Sequence, residues 1–596
     1  MRRQRRRLAT GLLLALCCAV VPLAAHATIR IDVEGIDGEM RRNVYAFLSL
    51  ERFKERDDLA EDTVARLFGR VDGEVRSALR PLGYYAPQVR TALEPLDEGR
   101  NWRVRIQIDA GPPVVIESVE VKLQGPGATD RVFEPIANQS TLRKGETLNH
   151  GLYERVKGDM TRIAAANGYL DAQVLPESRM LVDPTARTAQ LTLAMETGER
   201  YHFGAISIEQ SVIRPELMRK FLRFGEGDPY STTELLRTQF ALDDSLYFST
   251  VEVSPLERDR ESLSVPVTIT AAKSDRLLTL GPGYGTDTGV RATVGWTDSR
   301  LNSLGHRLRV EARVSRISRT GEVRYDVPIG DPAIEKFSMG LVRREQQISV
   351  LDTTELSFTP SITRVRGRWQ RVASLSMMRT TTDDGGRERS SSLLLPSISF
   401  ATVPEGFLGE ALFTRGLYVD LIGSQSLLGS RADFLRAHLQ FERVFDLRPA
   451  WHLLVRGEGG TSLVKDFNEL PGIFRFFAGG DRSVRGFAFN ALSPLETVHL
   501  RPSPEFPQGH DEDLATGGRH LVFGSVELVR DLPRSLAGAT FFDIGNAFNR
   551  FGDPLEYSAG VGLRYRLPAV TLGIDIAKPL STSGSPRLHL NISPKL

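Results

Sequence analysis

The sequence predicts α+β periplasmic repeat modules followed by an all-β transmembrane barrel of about 16 antiparallel strands. Three observations predict it. An export-type N-terminus is followed by no apolar run long enough for a membrane helix. A tyrosine-marked pattern recurs at intervals of about 80 residues. From about residue 275, polar and apolar residues alternate to the end of the chain.

Residues 1–27 read as a secretory signal peptide. Arg2, Arg3, Arg5, Arg6 and Arg7 form a basic region, Leu8 to Leu23 is apolar, and Ala25-His26-Ala27 is a small-x-small cleavage site. The alternative is an uncleaved anchor. Removing the segment's five arginines takes the formal charge from +2 to about −3, so basicity is no argument for nucleic acid. Both cysteines, Cys17 and Cys18, lie in this segment, and Leu16 stands where a lipoprotein signal needs a small residue. The rest of the chain therefore has no disulfide, thiolate metal site or cysteine nucleophile. After residue 27 no run of 18 apolar residues occurs. An exported membrane protein without such a run crosses as a closed barrel, because only that satisfies its backbone in lipid.

Residues 28–112, 113–199 and 200–274 form three repeats. Strands open them at Ile29–Val33, Ile116–Val121 and Phe203–Ile208. Helical stretches come next, clearest at Leu152–Met160. Gly83-Tyr84, Gly168-Tyr169 and Leu246-Tyr247 then lead into strands at Val89, Val174 and Val251. Trp102–Ile108, Leu191–Met195 and Val265–Ile269 close the units, and Gly111 and Gly198 mark the junctions. This β-α-α-β-β order resembles the POTRA domain, a periplasmic polypeptide-binding module. The resemblance implies sheet edges that accept a further strand. Rigid spacers with covered edges are the other reading.

Residues 275–596 read as the barrel. Leu308, Val310, Ala312 and Val314 share one face, and Arg307, Arg309, Glu311 and Arg313 the other. Ala559, Val561, Leu563 and Tyr565 repeat the alternation, as do Val570–Ile576 and Leu588, Leu590 and Ile592. A soluble sandwich also alternates. The export signal and long polar loops such as Pro502–Arg519 favour the barrel.

The candidate site is the loop Ala478–Phe487, whose centre is Val484-Arg485-Gly486-Phe487. Arg485 is expected to fold into the lumen. Glu527 and Asp543 alternate with aliphatic residues and so point inward as its partners. Gly479, Gly480 and Gly486 permit tight turns and close approach. The four-residue string, together with Phe541, Asp543 and Gly545 in a Phe-x-Asp-x-Gly strand, resembles the hallmarks of the bacterial surface antigen (BamA–TamA) superfamily. Gly283–Gly289, Asn302–His306, the three repeats and the Ser593–Leu596 tail resemble its translocation-and-assembly-module branch. The loop's continuation, Phe487-Ala488-Phe489-Asn490, is more aromatic than that pattern.

The resemblance implies insertion of unfolded outer-membrane protein clients, notably autotransporters, with an inner-membrane-anchored TamB-like partner. It also implies a role in moving outer-membrane lipid. A seam between first and last strands would receive clients: Leu277–Leu280, including Leu278 and Leu280, against Leu588, Leu590 and Ile592. Gly281-Pro282-Gly283 is expected to interrupt the first strand. A two-partner secretion transporter, a porin and a barrel enzyme are the alternatives. No Walker loop, zincin motif or nucleophile elbow occurs, and no cofactor or metal is expected. His510–Asp513 reads as a solvated acidic loop.

Overall fold

A computed structural model describes residues 29–594 apart from 55, 57–59, 97–100, 139–140, 349–350, 384–387, 404–415, 501–509 and 568–569. The signal-peptide reading, and residues 502–509 of the Pro502–Arg519 stretch, lie outside the described residues. Two compact units result. The first holds most of the chain up to His202; the second holds most of the chain from Phe203 onward.

In the first unit, β1 (Ile29–Glu34), β2 (Gln88–Leu96) and β3 (Asn101–Asp109) form a sheet ordered β1-β3-β2. Val104, Ile106 and Ile108 alternate inward from β3 onto Val71, Val75 and Leu79 of the helix Val71–Leu79. A second sheet takes β4 (Val115–Gln124), β5 (Gln173–Val174), β6 (Met180–Asp183) and β7 (Thr188–Glu196). It is covered by the helix His150–Ala166, which starts where the Asn149 side chain caps the Leu152 N–H. Tyr153, Val156, Met160 and Ala164 recur at helical spacing and are its buried face.

The repeating tyrosine has a backbone cause. Gly83 (φ +91°) and Gly168 (φ +93°) take the left-handed conformation that ends the preceding helical stretch, and Leu246 (φ +59°) does so in the third repeat. Tyr84 and Tyr169 then pack against the cores of the first and second modules, and Tyr247 is buried beside Phe221 and Phe248 in the third.

Tyr169 donates 2.7 Å to Asp130 Oδ2, and Arg200 Nη1 donates 3.1 Å to the same oxygen. Burial pushes the phenol up to about 12, helped by the carboxylate it serves. Burial also opposes the Asp130 charge. The hydrogen bonds from Tyr169 and the Val132 N–H, with the Arg200 charge, outweigh it and hold the carboxyl below its usual range. A depressed carboxyl stabilises the fold above its unfolded pKa, near 3.9, and that stability is lost as pH falls through the lower folded value. Protection of residues 126–136 of the full chain against hydrogen exchange, relative to the intrinsic rate at each pH, is therefore expected to fall below about pH 4. Asp130→Asn should remove part of that dependence; an unchanged profile would discount the cluster.

In the second unit, β8 (His202–Glu209), β9 (Phe248–Pro255) and β10 (Ser264–Lys273) form a sheet ordered β8-β10-β9. The barrel comes next: β11 (Leu277–Gly285), β12 (Gly289–Asp298), β13 (Arg307–Val314), β14 (Ser318–Pro328), β15 (Glu335–Ile348), β16 (Leu351–Arg366), β17 (Trp369–Asp383), β18 (Glu388–Thr402), β19 (Gly416–Ser424), β20 (Phe434–Arg448) and β21 (Trp451–Val464). A side hairpin, β22 (Leu495–Leu500) and β23 (His510–Ala515), interrupts the order. Then come β24 (His520–Leu532), β25 (Leu536–Phe548), β26 (Glu556–Arg566), β27 (Val570–Pro579) and β28 (Arg587–Pro594). The barrel strands close into one 16-stranded antiparallel cylinder. His510–Asp513 is thus a paired strand, not the loop expected.

Period-two alternation sorts the barrel faces. Val290, Val294, Val310, Val561 and Ile576 are exposed outward, whereas Asp298, Asp326, Glu527 and Asp543 are buried. The third module abuts the turns at the β11 end of the cylinder. Tyr247 Oη donates 2.7 Å to the Gly305 carbonyl, and the Arg223 guanidinium grips Asp331 with both terminal nitrogens. Gly305 has φ +75°, and a Cβ there would lie 2.8 Å from the Tyr247 hydroxyl, so only glycine fits.

Candidate functional site

Between β21 and β24 the chain turns back into the lumen. Phe476 bonds to Gly518 and Ala478 to Leu492 through paired backbone bridges, which fold residues 476–492 into a closed loop. Val484 is fully buried in a cluster with Phe476, Ala478, Leu492, Leu521, Phe523 and Ala547, and Phe487 packs against it. This apolar base fixes the loop, so the next residue has one direction to point.

That residue is Arg485, which is 1% exposed. Its Nε and Nη2 donate 2.8 Å each to the two oxygens of Asp543, and Nη1 donates 2.7 Å to Glu527 Oε2. Its backbone N–H also reaches Asp543, at 3.2 Å. The guanidinium lies over the Phe541 ring, 3.2 Å from its centroid. A planar fork on a carboxylate and an aromatic face is a site that lysine cannot replace. Glu527 and Asp543 come from neighbouring strands, one pair of residues out of register (Ser525 faces Asp543), which lets one guanidinium reach both.

The glycines act by close approach. A Cβ on Gly486 would lie 2.6 Å from Ser558 Cβ and 2.8 Å from Pro579 N, and the Gly486 N–H donates 3.1 Å to Ser558 Oγ. A Cβ on Gly545 would lie 2.5 Å from the Val522 carbonyl. Both positions let backbone lie against backbone.

Several partners carry no signal in the loop's own sequence. Asp575 sits 3.8 Å from Arg485 Nη1 and is held by Arg564, which also reaches Glu527. Ser525 Oγ donates 2.7 Å to Asp543. Asp287, in the β11–β12 turn, accepts the Asp481 N–H at 2.6 Å, and His589 on β28 bonds the Arg485 carbonyl at 2.7 Å. Alternation places Asp575 and His589 inward, but only closure of the cylinder brings them to the loop.

The junction of β11 and β28 differs from the expectation. β11 runs unbroken through Gly281-Pro282-Gly283 and pairs with β12 at nine positions. It pairs with β28 at only two, Tyr284↔Ile592 and Gly285↔Asn591, extended by the Thr286 N–H donating to the Leu590 carbonyl. Leu278 and Leu280 therefore do not face Leu588 or Leu590; they lie on the exposed edge of β11, at 62% and 66% exposure. In this antiparallel register Pro594 would face Pro282. Neither can donate to a ladder, and pairing stops there.

A closed antiparallel cylinder, apolar outside and polar within, with α+β modules before it in the chain and a loop clasped in its lumen, defines an outer-membrane β-barrel protein. Residues 301–592 match the Omp85 superfamily domain, and residues 30–110 match the POTRA domain TamA domain 1. The chain belongs to the Omp85 superfamily and resides in the outer membrane, its modules being of a kind that is periplasmic in homologues.

Curated relatives include the outer membrane protein assembly factor BamA of Nitratidesulfovibrio vulgaris, 21% identical over 71% of this chain and 54% of that one. The BamA of Neisseria meningitidis is 20% identical over 69% and 54%. The chain thus spans about half the length of these relatives. The crystal structure of BamA from Haemophilus ducreyi lacking POTRA domains 1–3 shares the fold: TM-score 0.59, 18% identity, 80% of this chain and 99% of that one. Assembly factors of the superfamily are transporters and not enzymes. Among the described residues no His, Cys, Asp and Glu group could hold a metal ion, and no helix is long and apolar enough to cross a membrane.

Proposed function

We propose that this protein is the outer-membrane subunit of a translocation and assembly module, which helps unfolded β-barrel and autotransporter polypeptides enter the outer membrane. One observation carries the reading: a closed barrel whose first and last strands share two residue pairs, where β27 and β28 share eight. The β11 edge at Leu277–Gly283 is paired on one side only. A client strand that pairs there satisfies its backbone as it enters lipid. Otherwise each unpaired group costs several kcal/mol.

The modules supply the approach. In the first sheet β3 is central, so β1 and β2 each present an outer edge suited to strand addition. The TamA-type first module supports docking of an inner-membrane-anchored TamB-like protein through residues 28–112. Movement of lipid across the same seam is part of the proposal. The module boundaries at 112, 199 and 274 belong to it as well.

The test is reconstitution of the full chain in phospholipid vesicles with an unfolded outer-membrane barrel as client. Protease-protected client should form at least about tenfold faster than in empty vesicles. Equal rates, with ion conductance that survives deletion of residues 28–274, would make the protein a pore and end the assembly reading.

A further inference from the structure

We propose that the lumenal loop staples the seam from inside, and that Asp287 and His589 are the positioning residues that hold it shut. The proposal rests on the reading of the β11–β28 junction as a seam that opens.

The loop touches both sides of that junction. On the β11 side, Asp287 Oδ2 accepts the Asp481 N–H at 2.6 Å. On the β28 side, His589 Nε2 lies 2.7 Å from the Arg485 carbonyl, which can only accept, so Nε2 carries the proton and donates. The imidazole's other nitrogen faces back across the junction, 3.5 Å from Thr286 Oγ1 and 3.9 Å from Asp287 Oδ1. Asp287 is 8% exposed and His589 3%. Arg291 on β12 adds a longer bond across the junction, 3.5 Å to Asn591 Oδ1.

The backbone is shaped for this contact. Gly480 has φ +103°, and a Cβ there would lie 2.8 Å from Asp287 Oδ2. A side chain at 480 would push the carboxylate off the loop.

The loop's tip is fixed to β24 and β25 through Glu527 and Asp543. Its reach to Asp287 and His589 therefore ties the weakly paired edge strands to a rigid wall. Two pairs of ladder residues alone are a weak closure. The staple adds two hydrogen bonds from the side where lipid does not reach. Release of the loop and opening of the seam become one event.

The staple is tested by hydrogen exchange of the full-length protein in detergent micelles. Asp287→Ala and His589→Ala should each speed exchange in residues 284–286 and 590–592 by about tenfold, the size of one lost charge-assisted or buried hydrogen bond. Exchange in the β14–β15 hairpin should not change. His589→Gln, whose amide can still donate to the Arg485 carbonyl, should return the seam to within about twofold of wild type.

Unchanged exchange at the seam in both alanine variants overturns the staple. So does an equal rise throughout the barrel, which would be general loosening. If His589→Ala does not fold, Asp287→Ala decides alone, since its partner is a backbone N–H and the wall is untouched. The measurement needs no client, so its failure is distinct from failure of the assembly reading.

Discussion

Arg485→Ala should leave the barrel folded and inserted while lowering client assembly by at least about tenfold. The guanidinium holds two buried carboxylates: Asp543 is fully buried and Glu527 4% exposed. Truncating one partner of such a buried cluster costs about 3–5 kcal/mol, because the remaining charges lose their compensation. That penalty falls on docking of the loop, not on the wall. β24 and β25 pair along their whole length without any help from the loop.

Undocking relieves the penalty, since water can then enter beside Asp543 and Glu527. The variant therefore keeps its cylinder and loses its loop position. Arg485→Lys should fall between wild type and alanine. It restores charge but cannot place three donors on two carboxylates or lie flat on Phe541. Retained heat-modifiable migration, rapid exchange across residues 476–492 and slow assembly would together fit this account. Wild-type assembly by Arg485→Ala would refute a working role for the clasp.

Most of this arrangement was legible in the sequence because it depends on period. Glu527 between Val526 and Leu528, and Asp543 between Phe542 and Ile544, can only point inward once the aliphatics face lipid. The helix His150–Ala166 was legible for the same reason at a different period. What failed depended on register or closure. Gly281-Pro282-Gly283 reads as a break, yet Pro282 faces Ala292 within an unbroken strand, its missing donor on the seam side where little pairs. The acidic run at His510–Asp513 reads as solvated loop, yet Asp513 meets Thr497 across a hairpin, 2.7 Å from its hydroxyl. Asp287 is 194 residues from Asp481, and His589 is 104 from Arg485. No local pattern links positions that meet only when a cylinder closes.

Register also fixes where a covalent lock belongs. A disulfide between Tyr284→Cys and Ile592→Cys should stop client assembly, and reduction should restore it. These residues face each other directly across the junction, the spacing at which cross-strand side chains meet. No cysteine lies beyond Cys18 to compete. Sequence alone would place the pair at Leu280 and Leu590, but Leu590 lies against Thr286, and Leu280 would need a partner beyond Pro594. A Leu280→Cys, Leu590→Cys pair should therefore stay reduced under the same oxidant. The contrast separates a specific seam from general sensitivity to thiols in the barrel. Two ladder pairs in water-excluded surroundings hold the edges together but leave most of β11 without a partner on that side. A covalent bond removes the one step by which a client strand could take the place of β28. If the locked protein assembles clients at the rate of the reduced one, entry does not pass between these strands, and the client must use the lumen or the barrel's outer surface instead.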